Sequence, residues 1–511
     1  MTDEQVNENQ SEHERLSDEL ESRKNNLSKF KELGINPWGG RFEATHFAAD
    51  LHAAFGDAEK EHLEAQALPV SLAGRLTALR KHGKVRFANL LDGSGTIQLF
   101  LRINSLEEIP AGGDRSTNQW ELLEYLNLGD WIGVNGTLMK TKTGELTVRV
   151  NNWTLLAKSL RPLPEKYHGL QDKELRYRYR YLDLIANPDV RDVFRARTSV
   201  IKKVRAILDS HNYIEVETPS LHQVAGGAAA RPFVTHHHAL DIDIFLRISL
   251  ELHLKRLMIG GFERVYEIGR VFRNEGMDRD HNPEFTMLEA YEAFGNLDTM
   301  RALAEEIVRE CCVTVRGGTK TNFRDNEIDF GPSFAVRDYA DLLEEFSGVD
   351  IGAERSRDVL INACRNRELE FDKDATVGKL IDTLFDELVQ PNLVQPTFVM
   401  NYPIELSPLA RKHEDRPGFV QRFELFIAGH EIANAFTELN DPTDQRERFD
   451  AQMRMRAEGD EEAHPVDEDF LYALEHGMPP AGGIGLGIDR LVMLVTGAHS
   501  IRDVILFPMM K

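Results

Sequence analysis

The spacing of apolar residues changes three times along the chain and predicts three kinds of structure. The first part, residues 1–60, is polar and carries leucine and phenylalanine at helical intervals between Leu16 and Phe30, followed by Gly34. This pattern predicts an exposed N-terminal helical extension. A solvated helix and an arm that contacts RNA both fit it, although charged runs are usually solvent-facing surfaces.

Short alternating segments replace the helical spacing in the next part, residues 61–160. Five of them are predicted to be strands: 70–75, 85–91, 96–101, 131–138 and 146–155. Turn sequences at 92–95 and 143–144 separate them, and a helical stretch near 118–126 precedes the fourth. Five short strands of this kind predict a small closed barrel of the oligonucleotide-binding (OB) type.

A third pattern follows a proline-containing stretch. Residues 161–185 hold Pro162, Pro164 and a run that alternates arginine with tyrosine, which predicts a linker. Residues 186–511 mix long amphipathic helices, such as one over 190–208, with strands that do not alternate strictly with helices. The expected fold of this last domain is therefore α+β, with a mainly antiparallel sheet.

The segment 262–291 concentrates charged side chains in two predicted strands joined by a loop. If the first strand is extended, the period of two places Arg273 and Glu275 on one face. The second strand aligns four side chains on one face: Phe285, Met287, Glu289 and Tyr291. Buried charges at this density are costly unless they are paired or bound to a ligand, so a binding site is favoured over structural ion pairs at a sheet edge.

Charge and cysteine content limit the partners and the compartment. With 511 residues, of which 41% are hydrophobic, the chain is long enough for two or three domains. The formal net charge of -23 opposes broad binding to nucleic acid, so any RNA contact requires a local basic patch. The barrel segment offers one such patch: Arg75, Arg80, Lys81, Lys84 and Arg86. Three cysteines cannot build a disulfide framework, and we find no signal sequence or membrane span, which favours the cytoplasm.

Three segments together resemble the signature motifs of class II aminoacyl-tRNA synthetases. Residues 213–219 (YIEVETP) resemble motif 1, which supports the dimer interface in that family, and residues 272–275 (FRNE) resemble motif 2. Residues 485–491 (GLGIDRL) resemble motif 3, where a glycine-rich strand delivers an arginine at a helix start. The class I signatures do not occur in the sequence. The resemblance implies an antiparallel sheet flanked by helices, a homodimer, and the use of ATP with Mg²⁺.

In detail the resemblance is to the lysyl enzymes of the bacterial type, which join L-lysine to tRNA(Lys). It assigns Glu251, Tyr291 and Glu438 to the ε-ammonium of lysine. It assigns Glu289 and the Gly227 backbone to the α-amino group, and Arg273 and Asn434 to the carboxylate. Carboxylates beside the ε-ammonium offset the cost of burying its charge. A glutamate-rich pocket is unsuited to aspartate.

The resemblance also implies an ATP site. Its residues are Arg273, Glu275, His281, Asn282, Phe285, Glu431, Gly487 and Arg490. By the same resemblance Arg273 and Arg490 are the catalytic pair: Arg273 bridges the lysine carboxylate and the α-phosphate, and Arg490 clamps the γ-phosphate. Phe285 stacks on the adenine, and Glu275 reads its amino group.

The implied chemistry is in-line attack of the lysine carboxylate on the α-phosphorus, which gives lysyl-adenylate and pyrophosphate. No covalent enzyme nucleophile is needed, so the protein positions the reactants and neutralises charge. The resemblance gives Glu424 and Glu431 the task of holding Mg²⁺ through oxygen ligands.

The barrel resembles the domain that reads the middle uridine of the anticodon in lysyl, aspartyl and asparaginyl enzymes. Phe87, Gln98 and Glu145 stand at the matching positions. Periodicity alone leaves Phe87 open between barrel core and base stacking, because it shares parity with Val85. The resemblance favours stacking.

Three positions depart from the lysyl pattern. Ala433 and Ala435 stand where glycine is usual, and His430 stands where arginine is common. A methyl group beside the substrate would narrow the pocket, so these alanines are expected to alter the fit.

Other functions remain open at this point. A related transferase that lysylates a protein would use the same adenylate chemistry, but such relatives resemble the catalytic domain alone. A catalytically inactive RNA-binding module has no reason to keep Arg273, Arg490, Glu424 and Glu431 together. Aspartyl and asparaginyl enzymes are disfavoured by Glu251 and Glu438.

Overall fold

The computed structural model of the protein describes residues 3–111, 115–164, 170–353, 355–372, 374–457 and 465–511. The chain divides into two compact units, Met1–Gly169 and Leu170–Lys511. None of the helices in the described ranges combines the length and the apolar character needed to cross a membrane.

The first unit is built on a closed five-stranded barrel. The described strands of the whole unit are β1 (Pro69–His82), β2 (Val85–Leu91), β3 (Thr96–Arg102), β4 (Glu108–Ala111), β5 (Arg115–Asn118), β6 (Trp131–Lys140) and β7 (Leu146–Ala157). The barrel follows the order β1-β2-β3-β7-β6, with β6 pairing back onto β1, while β4 and β5 form a separate hairpin. The predicted OB-type barrel is confirmed.

Four helices accompany the barrel: α1 (Asp3–Glu32), α2 (Ala48–Phe55), α3 (Lys60–Gln66) and α4 (Gln119–Leu122). The prediction that the N-terminal helix is exposed is wrong at its C-terminal end. Phe30 is fully buried in the barrel core cluster. Arg23 is also buried and donates to the carbonyls of Leu128 and Ser159, each at 3.0 Å. This end of α1 therefore packs on the barrel instead of projecting into solvent.

The second unit contains a large sheet and several smaller ones. Its strands are β8 (Ile214–Glu215), β9 (Leu221–His222), β10 (Val234–His237), β11 (Ile242–Leu246), β12 (Arg264–Phe272), β13 (Glu284–Ala293), β14 (Lys320–Phe323), β15 (Asn326–Asp329), β16 (Ala335–Asp338), β17 (Thr397–Met400), β18 (Arg422–Ile427), β19 (His430–Thr437) and β20 (Ala481–Gly487). Eight of them form one sheet in the order β16-β17-β18-β19-β20-β13-β12-β8. The six central strands are antiparallel, and the two edge strands pair in parallel, so the expected antiparallel sheet is confirmed with parallel edges.

Helices surround this sheet. They are α5 (Lys173–Arg178), α6 (Arg180–Ala186), α7 (Pro188–Ser210), α8 (Glu251–Ile259), α9 (Leu297–Arg316), α10 (Tyr339–Ser347), α11 (Arg357–Arg365), α12 (Val377–Leu388), α13 (Pro442–Ala457), α14 (Glu468–Leu474), α15 (Ile488–Thr496) and α16 (Ile501–Val504). Helices α7, α9 and α15 share one core cluster with the central strands. A capping box at Asn296 begins α9, and Gly317 ends it in the left-handed conformation, φ 74°. Because α7, α9 and α15 cover one face of the central strands, the opposite face is available for a binding site.

The segment predicted as a linker is more ordered than expected. Helices α5 and α6 occupy much of it. The Arg180 side chain is 1% exposed, binds Asp183 and donates to the carbonyls of Arg502 and Leu506. Because a buried guanidinium needs such acceptors, Arg180 fixes this segment to the C-terminal part of the same unit.

Candidate active site

One cavity of about 800 Å³ lies in the second unit and is bordered by strands of the large sheet. Its lining includes every residue that the resemblance assigned to lysine, ATP or Mg²⁺: Gly227, Glu251, Arg273, Glu275, His281, Asn282, Phe285, Glu289, Tyr291, Glu424, Glu431, Asn434, Glu438, Gly487 and Arg490. These residues come from widely separated parts of the sequence. Folding brings them into one compartment, as expected for a binding site assembled on a sheet.

The hairpin of β12 and β13 supplies the floor of the cavity. Glu289 is paired with Glu267 on β12 and with Gly485 on β20, so it lies in the middle of the sheet. Gly483 on β20 lies against Tyr291 and Glu438, and a Cβ atom at this position would overlap both side chains. A glycine is therefore required where these two side chains meet.

Glu289 is held by three donors. Ser249 Oγ and the backbone amide of Leu250 both donate to its Oε1 at 2.9 Å, and the Tyr291 hydroxyl donates to its Oε2 at 3.1 Å. Burial and the nearby Glu251 carboxylate together raise the pKa of Glu289 to about 7, although the three donors act to lower it. Ser249 was not identified from the sequence. Its Oγ also accepts from the Glu251 backbone amide at 3.1 Å and so connects the Glu289 carboxylate with the start of α8.

Lys255 is the most important residue that sequence reasoning missed. It lies one helical turn after Glu251 on α8 and is fully buried. Its Nζ lies 2.6 Å from Glu251 Oε1 and forms an ion pair with Glu438. The spacing of four residues between Glu251 and Lys255 was the available signal. The acidic cluster therefore contains a cation of its own.

The ionisation of this cluster is set by burial and by its internal charges. Burial lowers the pKa of Lys255, but Glu251 and Glu438 outweigh that effect and hold the pKa above its ordinary value. Burial raises the pKa of Glu438 to about 8, against the effect of Lys255. Although Glu438 is ion-paired with Lys255, neither of its oxygens meets hydrogen-bond geometry with a donor in the described residues. Glu438 thus keeps the capacity to accept further hydrogen bonds.

A second network, also unpredicted, surrounds Glu424. Arg422, two residues earlier on β18, forms an ion pair with Glu424 and donates to Asn434 Oδ1 at 3.1 Å. Tyr402 donates to Glu424 Oε2 at 2.8 Å. Burial raises the pKa of Glu424 to about 7 despite Arg422. In this structure Asn434, for which resemblance predicts a carboxylate-binding role, therefore faces Arg422.

Two arginines stand at the other end of the cavity. Arg490 begins α15 and donates to the Glu431 carbonyl at 2.7 Å, with the Glu431 carboxylate 3.3 Å away. Its other terminal nitrogen is 3.3 Å from His281 Nε2. Arg273 lies with its guanidinium carbon 5.2 Å above the centre of the Phe285 ring. Two cations that line one cavity favour an anionic ligand at this end.

Asn282 also lines the cavity, and only one of its two amide atoms has a hydrogen-bond partner among the described residues. Its Nδ2 donates to the Glu284 carbonyl at 2.7 Å, whereas its buried Oδ1 has no hydrogen-bond partner in the described part of the chain. A buried polar atom without a partner is costly unless a ligand supplies one. Its position agrees with a ligand contact at Asn282.

The expectation that Ala433 and Ala435 narrow the pocket is wrong. Both side chains are buried in the core cluster on the helix side of the sheet. The alternation of β19 instead directs Asn434 and Glu438 to the cavity. His430, the third departure, does line the cavity, and burial together with Arg324 lowers its pKa to about 4.

In the first unit, Phe87 lies on the outer side of the barrel. Its neighbours on β2, Arg86 and Ala88, are buried instead. The Phe87 ring lies 5.3 Å from the ring of Phe100 on β3, between centroids. Gln98, on the same outer side, accepts from Thr147 Oγ1 at 3.0 Å. The outer position removes the barrel-core alternative for Phe87.

The expected basic patch is smaller than the sequence indicated. Arg86 is buried and ion-paired with Glu124, which also binds Lys81. Arg80 and Lys84 remain exposed at the end of the β1–β2 hairpin. Glu145, the third predicted anticodon residue, is exposed in the turn before β7.

Comparison with known proteins gives matches over both units. A family profile described as tRNA synthetases class II (D, K and N) matches residues 172–511, and one described as an OB-fold nucleic acid binding domain matches residues 70–156. The lysine–tRNA ligase of Bacillus subtilis (strain 168) is 49% identical over 499 residues, 98% of each chain. Those of Thermoanaerobacter pseudethanolicus and Moorella thermoacetica are each 50% identical, over 98% and 95% of this chain and 97% and 96% of theirs.

Proposed function

Because the chain belongs to the class II tRNA synthetases of the D, K and N group, we propose that it is a lysine–tRNA ligase. It activates L-lysine with ATP to lysyl-adenylate and transfers the lysine to tRNA(Lys). The relatives named lysine–tRNA ligase support this over the full length of the chain.

The net charge of the cavity is the observation that favours lysine as the amino-acid substrate. Glu251, Glu289 and Glu438 supply three carboxylates, and Lys255 supplies one cation, so two negative charges remain when all are ionised. Lysine brings two ammonium groups, one for each remaining charge, and a carboxylate that Arg273 can neutralise. Aspartate would place a second carboxylate among acids, which is strongly unfavourable in a buried site.

The lysine is oriented by these charges along the cavity. Glu289, at the centre of the sheet and held by three donors, takes the α-amino group, with the backbone of Gly227 beside it. Gly227 has φ 91°, and its position next to Ser249 leaves no room for a side chain. Glu251 and Glu438 take the ε-ammonium. Tyr291 is the third side chain proposed for the ε-ammonium, and its hydroxyl also donates to Glu289.

In the activation step, a carboxylate oxygen of lysine forms a bond to the α-phosphorus as the bond to pyrophosphate breaks. Arg273 neutralises the charge that builds between the carboxylate and the α-phosphate, and Arg490 binds the outer phosphates; the position of both arginines in the cavity lining supports these roles. Phe285, under Arg273, supports the adenine, and Asn282 and Glu275 contact the nucleotide. Preorganised cations of this kind stabilise a transition state without moving during the reaction.

The residues present fit Mg²⁺ delivered with ATP. Within the described residues no three His, Cys, Asp or Glu side chains group closely enough to hold a metal by themselves. Glu424 and Glu431 lie on neighbouring strands and line the cavity, and two carboxylates suit an ion that keeps waters and phosphate oxygens as its other ligands. Bound there, Mg²⁺ would neutralise phosphate charge.

Lysine-dependent exchange of pyrophosphate into ATP tests the proposal. We expect exchange with lysine and not with aspartate or asparagine, and charging of tRNA(Lys) by the same protein. Exchange without tRNA charging would indicate a protein-modifying transferase. No exchange with any amino acid would indicate a binding module and reject the proposal.

The raised pKa values of the pocket predict a pH dependence. Lysine binds best when Glu289 and Glu438 are ionised, and their pKa values are about 7 and about 8. Protonation of either removes a partner of an ammonium group, so kcat/KM for lysine should rise from about pH 6 to about pH 8. Steady-state exchange over this range measures it, and a flat profile would contradict the assignment of these two carboxylates.

The barrel is the proposed reader of the anticodon. Phe87, on its outer side, stacks on a base, Gln98 and Glu145 supply hydrogen-bonding groups, and Arg80 and Lys84 contact the RNA backbone; the exposure of Arg80, Lys84 and Glu145 supports this. The paired Phe100 ring extends the apolar surface.

Replacement of Phe87 by alanine should raise KM for tRNA(Lys) about tenfold or more, because stacking contributes about 1–3 kcal/mol per base. Lysine-dependent pyrophosphate exchange should not change, since it needs no tRNA. Phe47→Ala, an exposed phenylalanine of the same unit, is the matched control. Equal losses in exchange and charging would remove the anticodon role.

We also propose that the protein is a cytoplasmic homodimer. The segment 213–219 resembles the motif that supports the dimer interface, and around it Ile214, Leu221 and Val234 are at least half exposed. Sedimentation equilibrium would measure a mass of twice 58.1 kDa. The three cysteines are unpaired, which suits a reducing compartment.

A further inference from the structure

The loop between β12 and β13 is anchored at several points beside the phosphate end of the cavity. The Asp278 carboxylate accepts the amides of Asp280 at 2.6 Å and of His281 at 2.8 Å. Arg279 donates from its side chain to the His499 carbonyl at 3.1 Å, and its own carbonyl accepts the Ile501 amide at 2.9 Å. The loop is therefore shaped by its own contacts and fixed to the segment before α16.

Arg324 reaches the same loop from a different hairpin. It lies in the turn between β14 and β15, where Arg324 and Asp325 both have positive φ, 47° and 67°. Aspartate enters this region more easily than most residues, whereas arginine there is strained. Such strain persists only where surrounding contacts over-determine the conformation, so the contacts of Arg324 indicate its purpose.

The Arg324 side chain joins two walls of the cavity. It forms an ion pair with Asp280 in the loop, and its Nη1 lies 2.5 Å from His430 Nε2 on β19. A guanidinium can only donate, so the imidazole nitrogen accepts. The guanidinium also lies over the Phe323 ring and is 17% exposed. His430 is followed directly by Glu431, whose carbonyl and carboxylate bind Arg490.

Asp280 needs this cation. It lines the cavity at the end where Arg490 and His281 lie, which is where the triphosphate of ATP is expected. An unpaired carboxylate there would repel the phosphates. The pair with Arg324 removes that repulsion and also fixes the loop.

We propose that Arg324 is a positioning residue for ATP: through Asp280 and His430 it holds the 276–283 loop against the sheet and neutralises the carboxylate that faces the triphosphate. The proposal rests on the proposed function, since it requires ATP in this cavity. The proposal also gives a reason for His430. The lysyl enzymes commonly carry an arginine at this position of the strand, whereas here His430 accepts a hydrogen bond from Arg324 of the neighbouring hairpin.

Substitutions in the turn between β14 and β15 can separate an effect on folding from an effect on ATP binding. Arg324→Gly should raise KM for ATP about tenfold to a hundredfold, the usual effect of losing a charge-assisted contact, with KM for lysine unchanged. The melting temperature should fall only slightly, because glycine accepts a φ of 47° without strain and this relief offsets part of the lost side-chain contacts. Asp325→Gly relieves the backbone at the next position and should leave both KM values as in wild type.

Two further variants test the charge argument. Arg324→Lys should recover part of the ATP affinity. Asp280→Asn combined with Arg324→Gly should lower KM for ATP relative to Arg324→Gly alone, because the unneutralised carboxylate is gone. A purely structural role would not give this rescue.

The outcomes separate the two proposals. If wild type shows no lysine-dependent exchange, the proposed function fails. If wild type is active and Arg324→Gly has the wild-type KM for ATP, or if Asp325→Gly raises it equally, the positioning role of Arg324 is wrong and the function stands.

Discussion

Replacement of Arg273 by alanine should reduce lysine-dependent pyrophosphate exchange about 10³-fold while the protein stays folded. The guanidinium lies over Phe285 and lines the cavity between the carboxylate cluster and Arg490. At this position it can touch both the lysine carboxylate and the α-phosphate. A cation that acts mainly on charge formed in the transition state affects kcat more than substrate binding.

Arg270→Ala is a matched control three residues earlier in the chain, near the end of β12. Arg270 lies on β12, its side chain is 43% exposed, and its ion pair with Glu284 is long at 3.7 Å. An exposed pair of this kind contributes little to stability, so exchange and melting temperature should match wild type. Near wild-type exchange in Arg273→Ala, or equal losses in both variants, would reject the role given to Arg273.

Replacement of Glu438 by glutamine should raise KM for lysine roughly 10- to 100-fold and leave KM for ATP almost unchanged. Hydrogen bonds to charged groups contribute about 1.5–3 kcal/mol, which corresponds to this change in affinity. The glutamine keeps the size of the side chain and removes one of the two charges that bind the ε-ammonium. Glu414→Gln, at an exposed carboxylate paired with Arg411, is the control.

Glu438→Gln also removes a partner of the buried Lys255, so a loss of stability must be separated from a loss of binding. The double variant Glu438→Gln with Lys255→Met removes both charges of the ion pair and should regain melting temperature relative to Glu438→Gln. Lysine affinity should recover only in part, because the pocket returns to two net negative charges but the Glu438 carboxylate is still absent. A KM for ATP that rises as much as the KM for lysine in Glu438→Gln would show that the single variant acted through folding.

The parts of the fold that follow from local patterns could be predicted. The alternation in 61–160 and the turns between segments identified the five barrel strands, since both signals lie within a few residues. The same period of two placed Glu289 and Tyr291 on one face of the β12–β13 hairpin. The residues assigned to lysine, ATP and Mg²⁺ followed from resemblance, and all of them line one cavity.

Pairing between distant parts of the chain could not be predicted. Lys255 belongs to the acidic cluster only because α8 packs beside the end of β19, where Glu438 follows. Arg324 and Asp280 meet only because two separate hairpins converge. The sequence shows each charged residue but not the partner that offsets the free-energy cost of burying it.

Strand parity was ambiguous wherever both faces of a strand are covered. Strand β19 has helices on one side and the cavity on the other, so its alternation did not reveal which side Ala433 and Ala435 occupy. On β2, the buried Arg86 breaks the usual rule that charged residues face out, and its ion pair with Glu124 and its contact with the Trp120 ring explain why. Phe30 was similarly hidden within a polar helix.

A crystal structure with L-lysine and a non-hydrolysable ATP analogue tests the central claim most directly, because that claim concerns where the two ammonium groups lie. We predict the ε-ammonium within about 2.6–3.2 Å of a carboxylate oxygen of Glu251 or Glu438, with Lys255 still paired beside it, and the α-amino group on Glu289. Lysine bound elsewhere, with Glu251 and Glu438 contacting only Lys255, would contradict the account.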